Sequence, residues 1–225
     1  MPDLQTLFIW IIPILFAITL HEAAHGWIAS KFGDHTARMM GRVTLNPVKH
    51  IDPIGTILVP TVLLLMPGGL IFGWAKPVPI NFNALRSPKQ DMIWVALAGP
   101  AANILMTLFW LLVYTFAPNP FAPNPNISLV AQMATAGIFI NLILAVFNLL
   151  PIPPLDGSRV ISALLPRPLA YKYNQLEQYG LYIILALMLL GGFEMIVWPI
   201  VAQCINWLSL ISGPQMISTL VELLY

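Results

Sequence analysis

Apolar residues along this chain come in long runs, separated by short polar stretches that hold nearly all of the charge. The runs 4–30, 91–116 and 129–150 are each long enough to cross a hydrocarbon core, which takes roughly 20 helical residues. They are predicted as spans A, B and C, and a fourth run, 179–198, as span D. Residues 54–72 are equally apolar but are broken by Pro60, Pro67, Gly68 and Gly69. The apolar tail 199–225 is interrupted by Ser212, Gly213 and Pro214, compatible with either a further span or a helix lying on the membrane surface.

Composition agrees with this pattern. Of 225 residues, 58% are hydrophobic and only 8% charged, against roughly 25% charged in a soluble domain, and the mean hydropathy is +0.81. The fold class is therefore an all-α polytopic membrane protein. A net charge of +1 with no basic cluster argues against a nucleic-acid partner. The lone Cys204 allows neither an internal disulfide nor a cysteine metal cluster. The start, MPDLQT, has no basic residue, and no small-residue cleavage site precedes His21, so the first span is expected to be retained. The 21 prolines suggest bent or irregular segments, and APNPFAPNPN at 117–126 reads as a short linker. Residues 1–225 are expected to form a single integral-membrane domain, with a core at about 4–165 and C-terminal helices within 179–225.

Charge between the runs sets orientation. The loop 31–53 carries Lys31, Arg38, Arg42 and Lys49; 73–90 carries Lys76, Arg86 and Lys89; 151–178 carries Arg159, Arg167 and Lys172; the linker 117–128 carries none. By the positive-inside rule the three basic loops are cytoplasmic and the linker is outside. This requires 54–72 to enter and leave on one side, as a re-entrant hairpin that its Pro and Gly breaks permit. A full crossing would place a basic loop outside.

The stretch ITLHEAAHGWIAS, 18–30, stands out because it sets His21, Glu22 and His25 inside span A, where such groups are costly without partners. On a helix, His21 and His25 lie at i and i+4 on one face and can share a metal ion. Glu22 is about 100° further round, off the ligand line but within reach of a water on that metal. HExxH thus supplies two ligands and a base. The bare pattern also occurs by chance in helices whose histidines are ordinary core residues. In lipid, however, three polar groups call for a partner, and zinc is a good one.

A catalytic zinc site takes three protein ligands and an open position, so the third must come from elsewhere at a similar depth. His25 lies roughly 7 Å below the basic end of span A. His35 and His50 sit in the basic loop, where histidines are usually solvated, and Glu194 is expected near the outer end of span D, on the wrong side. Asp156, in NLLPIPPLDGSR at 148–159, follows span C on the cytoplasmic side. An aspartate in LDG is commonly a turn or cap residue; depth and sidedness favour the ligand.

HEAAH in the first span, AGPAAN at 98–103 and NLLPIPPLDG at 148–157 resemble, in this order, the site-2 protease family of intramembrane zinc metalloproteases. GWAKPVPIN at 73–81 is similar to a further stretch of its short bacterial branch. The likeness is close over these four motifs and loose over 30–157. It implies a three-helix catalytic core of spans A, B and C, with a re-entrant or extended segment and one or two additional C-terminal helices. His21, His25 and Asp156 would correspond to the ligands of one Zn2+ per chain, and Glu22 to the catalytic base. Asn148 matches the family's asparagine and is the first candidate to stabilise the oxyanion; Asn103 is the second. For each, a buried interhelical hydrogen bond is the competing role. Gly99 and Pro100 are read as shaping span B. No PDZ domain or nucleotide-binding module is seen. The resemblance further implies a single-pass transmembrane protein as substrate, lipid as surroundings, and a bacterial cytoplasmic membrane with the site toward the cytoplasm. Such cleavage releases regulators or clears remnant peptides.

The segment 74–81, with two prolines among alternating apolar residues, suits an extended stretch. It could offer backbone groups to an unwound substrate by strand addition, or simply pack on the bundle, with Lys76 reaching the headgroups. Two other functions fit parts of the pattern. A zinc or proton transporter would use the His/Glu cluster but should carry ionisable groups deep in other spans, and spans B and C have none. A membrane scaffold would have no need of His21, Glu22, His25 and Asp156 together.

Overall fold

A computed structural model of the chain describes residues 4–65, 73–117 and 128–224, so part of the segment 54–72 and nearly all of the linker 117–126 lie outside the described residues. The described residues form helices and irregular segments, with no strand among them. Helix α1 (Leu4–Lys31) is followed by a short α2 (Thr36–Met39), then a π-helical turn at Pro53–Leu58 that continues into α3 (Val59–Leu65). The remaining helices are α4 (Pro88–Phe116), α5 (Leu129–Asn148), α6 (Asp156–Leu164), α7 (Arg167–Asn174), α8 (Gly180–Leu189), α9 (Gly192–Ser212) and α10 (Gln215–Leu224).

Helices α1, α4, α5 and α9 are long and apolar enough to cross a membrane. The first three realise spans A, B and C and pack mutually; α9 and α10 pack on α5, and α6 on α4. Lipid gives no hydrophobic drive for helices to associate, so small residues and buried amides must do so. Their contact faces are accordingly lined by Ala17 and Ala23 of α1, Ala96, Ala98 and Gly99 of α4, and Ala134, Ala136 and Gly137 of α5, all buried. A Cβ on Gly137 would stand 2.5 Å from the Trp110 ring, so the bare glycine is what admits that indole. The opposite faces expose Phe8, Ile11, Phe16, Leu105, Leu108 and Leu112, as a lipid-facing surface should.

Span D needs correction. The apolar run 179–198 is not one helix: α8 ends at Leu189, Gly191 takes φ +75°, and a new helix starts at Gly192 and continues through Pro199 to Ser212. Glycine adopts that left-handed conformation without the steric cost of a Cβ and ends the helix there, whereas a proline inside a membrane helix need not end it. The tail breaks at Gly213, where φ is +91°, before α10. Ring contacts Phe147–Phe193 at 6.2 Å and Phe139–Trp198 at 6.1 Å make α9 antiparallel to α5. Glu194 therefore lies level with the C-terminal end of α5, the end from which Asp156 follows, and not at the far side.

The two ends of the broken segment meet. Trp74 N donates to Gly55 O at 3.0 Å, and Thr56 Oγ1 donates to Trp74 O at 2.8 Å. The chain thus leaves and returns at one place, as a re-entrant excursion requires. Asp52 caps the entry by accepting from Ile54 N and Gly55 N.

Candidate metal centre

His21 and His25 are one turn apart on α1 and 7% and 6% exposed. Their Nε2 atoms are 3.0 Å apart, and Asp156, in the first turn of α6, places Oδ2 3.2 Å from His21 Nε2 and Oδ1 3.4 Å from His25 Nε2. One ligand atom from each of the three residues fits within 4.8 Å. Asp156 arrives there through the LDG turn, in which a Cβ on Gly157 would lie 2.1 Å from Leu149 O, so only glycine lets the chain double back so closely.

The far nitrogens of the rings are tied down. His25 Nδ1 donates to Val95 O at 2.7 Å, in the turn of α4 where Pro100 removes the helix bond to Ala96 O. His21 Nδ1 lies 2.6 Å from Asn103 Oδ1. Asn103 in turn donates through Nδ2 to Ala17 O at 3.3 Å and to Asn141 Oδ1 at 2.9 Å, and Asn141 Nδ2 donates to Gly137 O at 2.8 Å. Because backbone carbonyls can only accept, they orient both amides and make each Nδ1 a donor. Each Nε2 then presents a lone pair, and the two lone pairs and the carboxylate converge. Asp156 Oδ2 is also buried without a hydrogen-bond donor. Two imidazole nitrogens and a carboxylate facing one another at these distances could hold a metal ion, and such a donor set suits zinc.

Gly99 touches both rings. A Cβ there would be 2.4 Å from His25 Nε2 and 2.6 Å from His21 Nε2. The glycine of AGPAAN therefore does more than shape α4: it leaves room for the imidazoles.

Glu22 is half-buried on the neighbouring face of α1, and its Oε2 accepts from Val78 N at 2.7 Å. The extended segment 73–81 thus lies against the base proposed from sequence. Its Trp74, Lys76 and Val78 backbone groups are bonded to Gly55, Thr56, His50, Arg42 and Glu22. The alternate positions Ala75, Pro77 and Pro79 carry one N–H among them. A strand added on that side would meet a single donor, and the Pro77 carbonyl there is shared with Arg42 Nη2 at 3.4 Å.

Asn103 departs from its sequence-based role. Asn103 is fully buried and spends both amide hydrogens on Ala17 and Asn141, which leaves no donor for an oxyanion; its place is behind His21. Asn148 is half-buried and, among the described residues, donates once, to Leu144 O of its own helix, which leaves one N–H available there. Asn141 was missed by the sequence reading, although a lone asparagine in the apolar run FINLIL is the kind of signal that could have found it. His35 is exposed, and neither His50 nor Glu194 joins the three-residue cluster. His50 departs from the solvated expectation: it is 2% exposed and hydrogen-bonds Thr44 O. The charged residues of α4 and α9 are Lys89, Asp91 and Glu194, all near their N-terminal ends, and α5 has none.

Sequence comparison places this arrangement among known proteins. The model of Peptidase family M50 matches residues 122–191, the part that contains α5, the LDG turn and Asp156. The Bacillus subtilis (strain 168) protein named "Putative zinc metalloprotease YwhC" is 39% identical over 191 residues, 84% of each chain. The Mycolicibacterium smegmatis protein named "Putative zinc metalloprotease Rip2" is 33% identical over 190 residues, 82% of this chain and 70% of its own length. "Zinc metalloprotease MJ0392" of Methanocaldococcus jannaschii is 23% identical over 158 residues, 70% of this chain and 34% of its own. No solved structure matches.

Proposed function

This chain belongs to Peptidase family M50, the site-2 proteases, as a multi-pass membrane zinc metalloprotease, and we propose that it cleaves single-pass membrane proteins within or near their transmembrane segments. His21, His25 and Asp156 would hold the zinc. The observation that carries this reading is the convergence of their three ligand atoms on spanning helix α1, about 1.5 turns from its basic end.

Held by these three residues, zinc would acidify a water and polarise the scissile carbonyl. The chain's own residues do the rest. Asn103 and Val95 O hold the imidazoles in the tautomer and orientation that ligation needs. Glu22 accepts the proton of the attacking water and returns it to the leaving amine. Asn148 has an N–H to offer the developing oxyanion. The substrate must be unwound to expose its peptide bond, and the extended segment beside Glu22 is where it would lie. The basic loops argue for a site facing the cytoplasm, and the likeness to bacterial proteins for a bacterial cytoplasmic membrane.

Reconstitution in lipid vesicles with a single-span substrate, followed by mass mapping of the products, tests this proposal. Cleavage within or beside the substrate's apolar span is expected. Cleavage confined to soluble loops far from the span would reject the intramembrane assignment while leaving the peptidase intact.

A further inference from the structure

Arg42 is 7% exposed and, among the described residues, has no carboxylate partner, a costly position for a guanidinium. Its Nη2 donates to Lys76 O at 2.8 Å and to Pro77 O at 3.4 Å. The next backbone N–H along the chain is Val78 N, which donates to Glu22 Oε2. Pro77 and Pro79 lack an N–H, so from 77 to 79 Val78 holds the only one. Lys76 N donates to His50 O, and Asn81 N to Asp34 Oδ2 further along. Close contact with α1 is secured by Gly26, one turn beyond Glu22. A Cβ there would lie 2.9 Å from Val43 Cγ2 and 3.1 Å from Val78 Cγ1. Residues 42–43 and 76–78 therefore sit on the helix face that presents the base.

We propose that Arg42 is a positioning residue for Glu22: by holding the carbonyls of Lys76 and Pro77 it fixes the Val78 N–H that orients the Glu22 carboxylate. One oxygen is thereby fixed on the amide, and Oε1, which has no hydrogen bond among the described residues, is left for the proton. This rests on Glu22 being the catalytic base. The consequence is a defect in turnover at an intact metal site, because none of the bonds made by Arg42 reaches His21, His25 or Asp156.

The test compares full-length Arg42→Ala, Arg42→Lys, Val78→Pro and Glu22→Gln, measuring zinc content, kcat and KM with a single-span substrate. Arg42→Ala should keep its zinc and a KM within about threefold of wild type, while kcat falls on the order of 10- to 100-fold, the cost of a misplaced catalytic group. Arg42→Lys, which can still donate to the same carbonyls, should recover most of that loss. Val78→Pro removes the N–H itself and should reproduce the Arg42→Ala defect with Arg42 in place, so the proposal stays testable if Arg42→Ala does not fold. Wild-type kcat in zinc-loaded Arg42→Ala or Val78→Pro would overturn it, as would a raised KM at unchanged kcat. If Glu22→Gln is inactive while those variants are not, Arg42 alone has been misassigned; if Glu22→Gln is active, the assignment of the base fails first.

Discussion

His21 and Asn103 stand 82 positions apart in sequence and 2.6 Å apart in space. The amide does not face the reaction. It receives the Nδ1–H of a ligand ring and is itself held by Ala17 O and Asn141. Removing such a partner typically costs 10- to 100-fold in metal affinity. Asn103→Ala should weaken zinc binding by about that factor, and excess zinc should restore most of its activity. Full zinc occupancy with lost activity would instead return Asn103 to the oxyanion.

Asp156→Ala should lose activity and bind zinc more weakly, with folding and membrane insertion kept. Glu194→Gln, although Glu194 shares that end of the bundle, should behave as wild type. Metal titration of both variants decides which carboxylate ligates.

Gly99→Ala introduces one methyl group, in a helix where alanine is intrinsically the better residue by about 1 kcal/mol. It should nevertheless abolish zinc binding, since the new Cβ would press on both imidazoles at 2.4 and 2.6 Å. Normal zinc content in this variant would show that the rings can move aside.

The Asp34 carboxyl ties the end of α1 to the extended segment through Thr36 N and Asn81 N. Burial pushes its pKa up, but the bonds from Thr36 and Asn81, with His35 nearby, outweigh this and hold it below the ordinary value. A depressed folded pKa contributes stability that is present above the unfolded value of about 4 and is lost as pH falls through the folded pKa. Asp34→Asn should therefore be less stable than wild type at neutral pH, and thermal melts should converge as the pH is lowered past 4.

Single cysteines at Lys49 and Asn83, in a Cys204→Ser background, should be labelled from one face of the membrane, and one at Ser128 from the other. Opposite labelling of the first two would contradict the pairing of Gly55 with Trp74 as the neck of a re-entrant excursion.

The helical core was legible because a membrane imposes length and polarity on each span, and because His21 and His25 are neighbours by helical period alone. Asp156 could be selected by sidedness, since the charge pattern orders the loops. The supporting residues were not legible in the same way. That Asn103 meets His21, and Asn141 meets Asn103, depends on the relative register of α1, α4 and α5, which no single helix encodes. Gly99 read as a packing glycine because its neighbours, the two imidazoles, belong to another helix. The break at Gly191 is not legible in the sequence because glycine scarcely disturbs an apolar run, whereas its positive φ decides where α9 begins. With that break moved, Glu194 changed sides.

Glu22 separates hydrolysis from metal binding, and its glutamine variant is the most direct measurement of the whole account. Glutamine keeps the shape of the side chain and leaves His21, His25 and Asp156 untouched, but it cannot accept the proton. Zinc content and cleavage of a single-span substrate should be measured on the same preparations of wild type and Glu22→Gln. The account predicts one zinc per chain in both, with cleavage by the variant reduced roughly 10²- to 10⁴-fold. Near wild-type cleavage by zinc-loaded Glu22→Gln would contradict it.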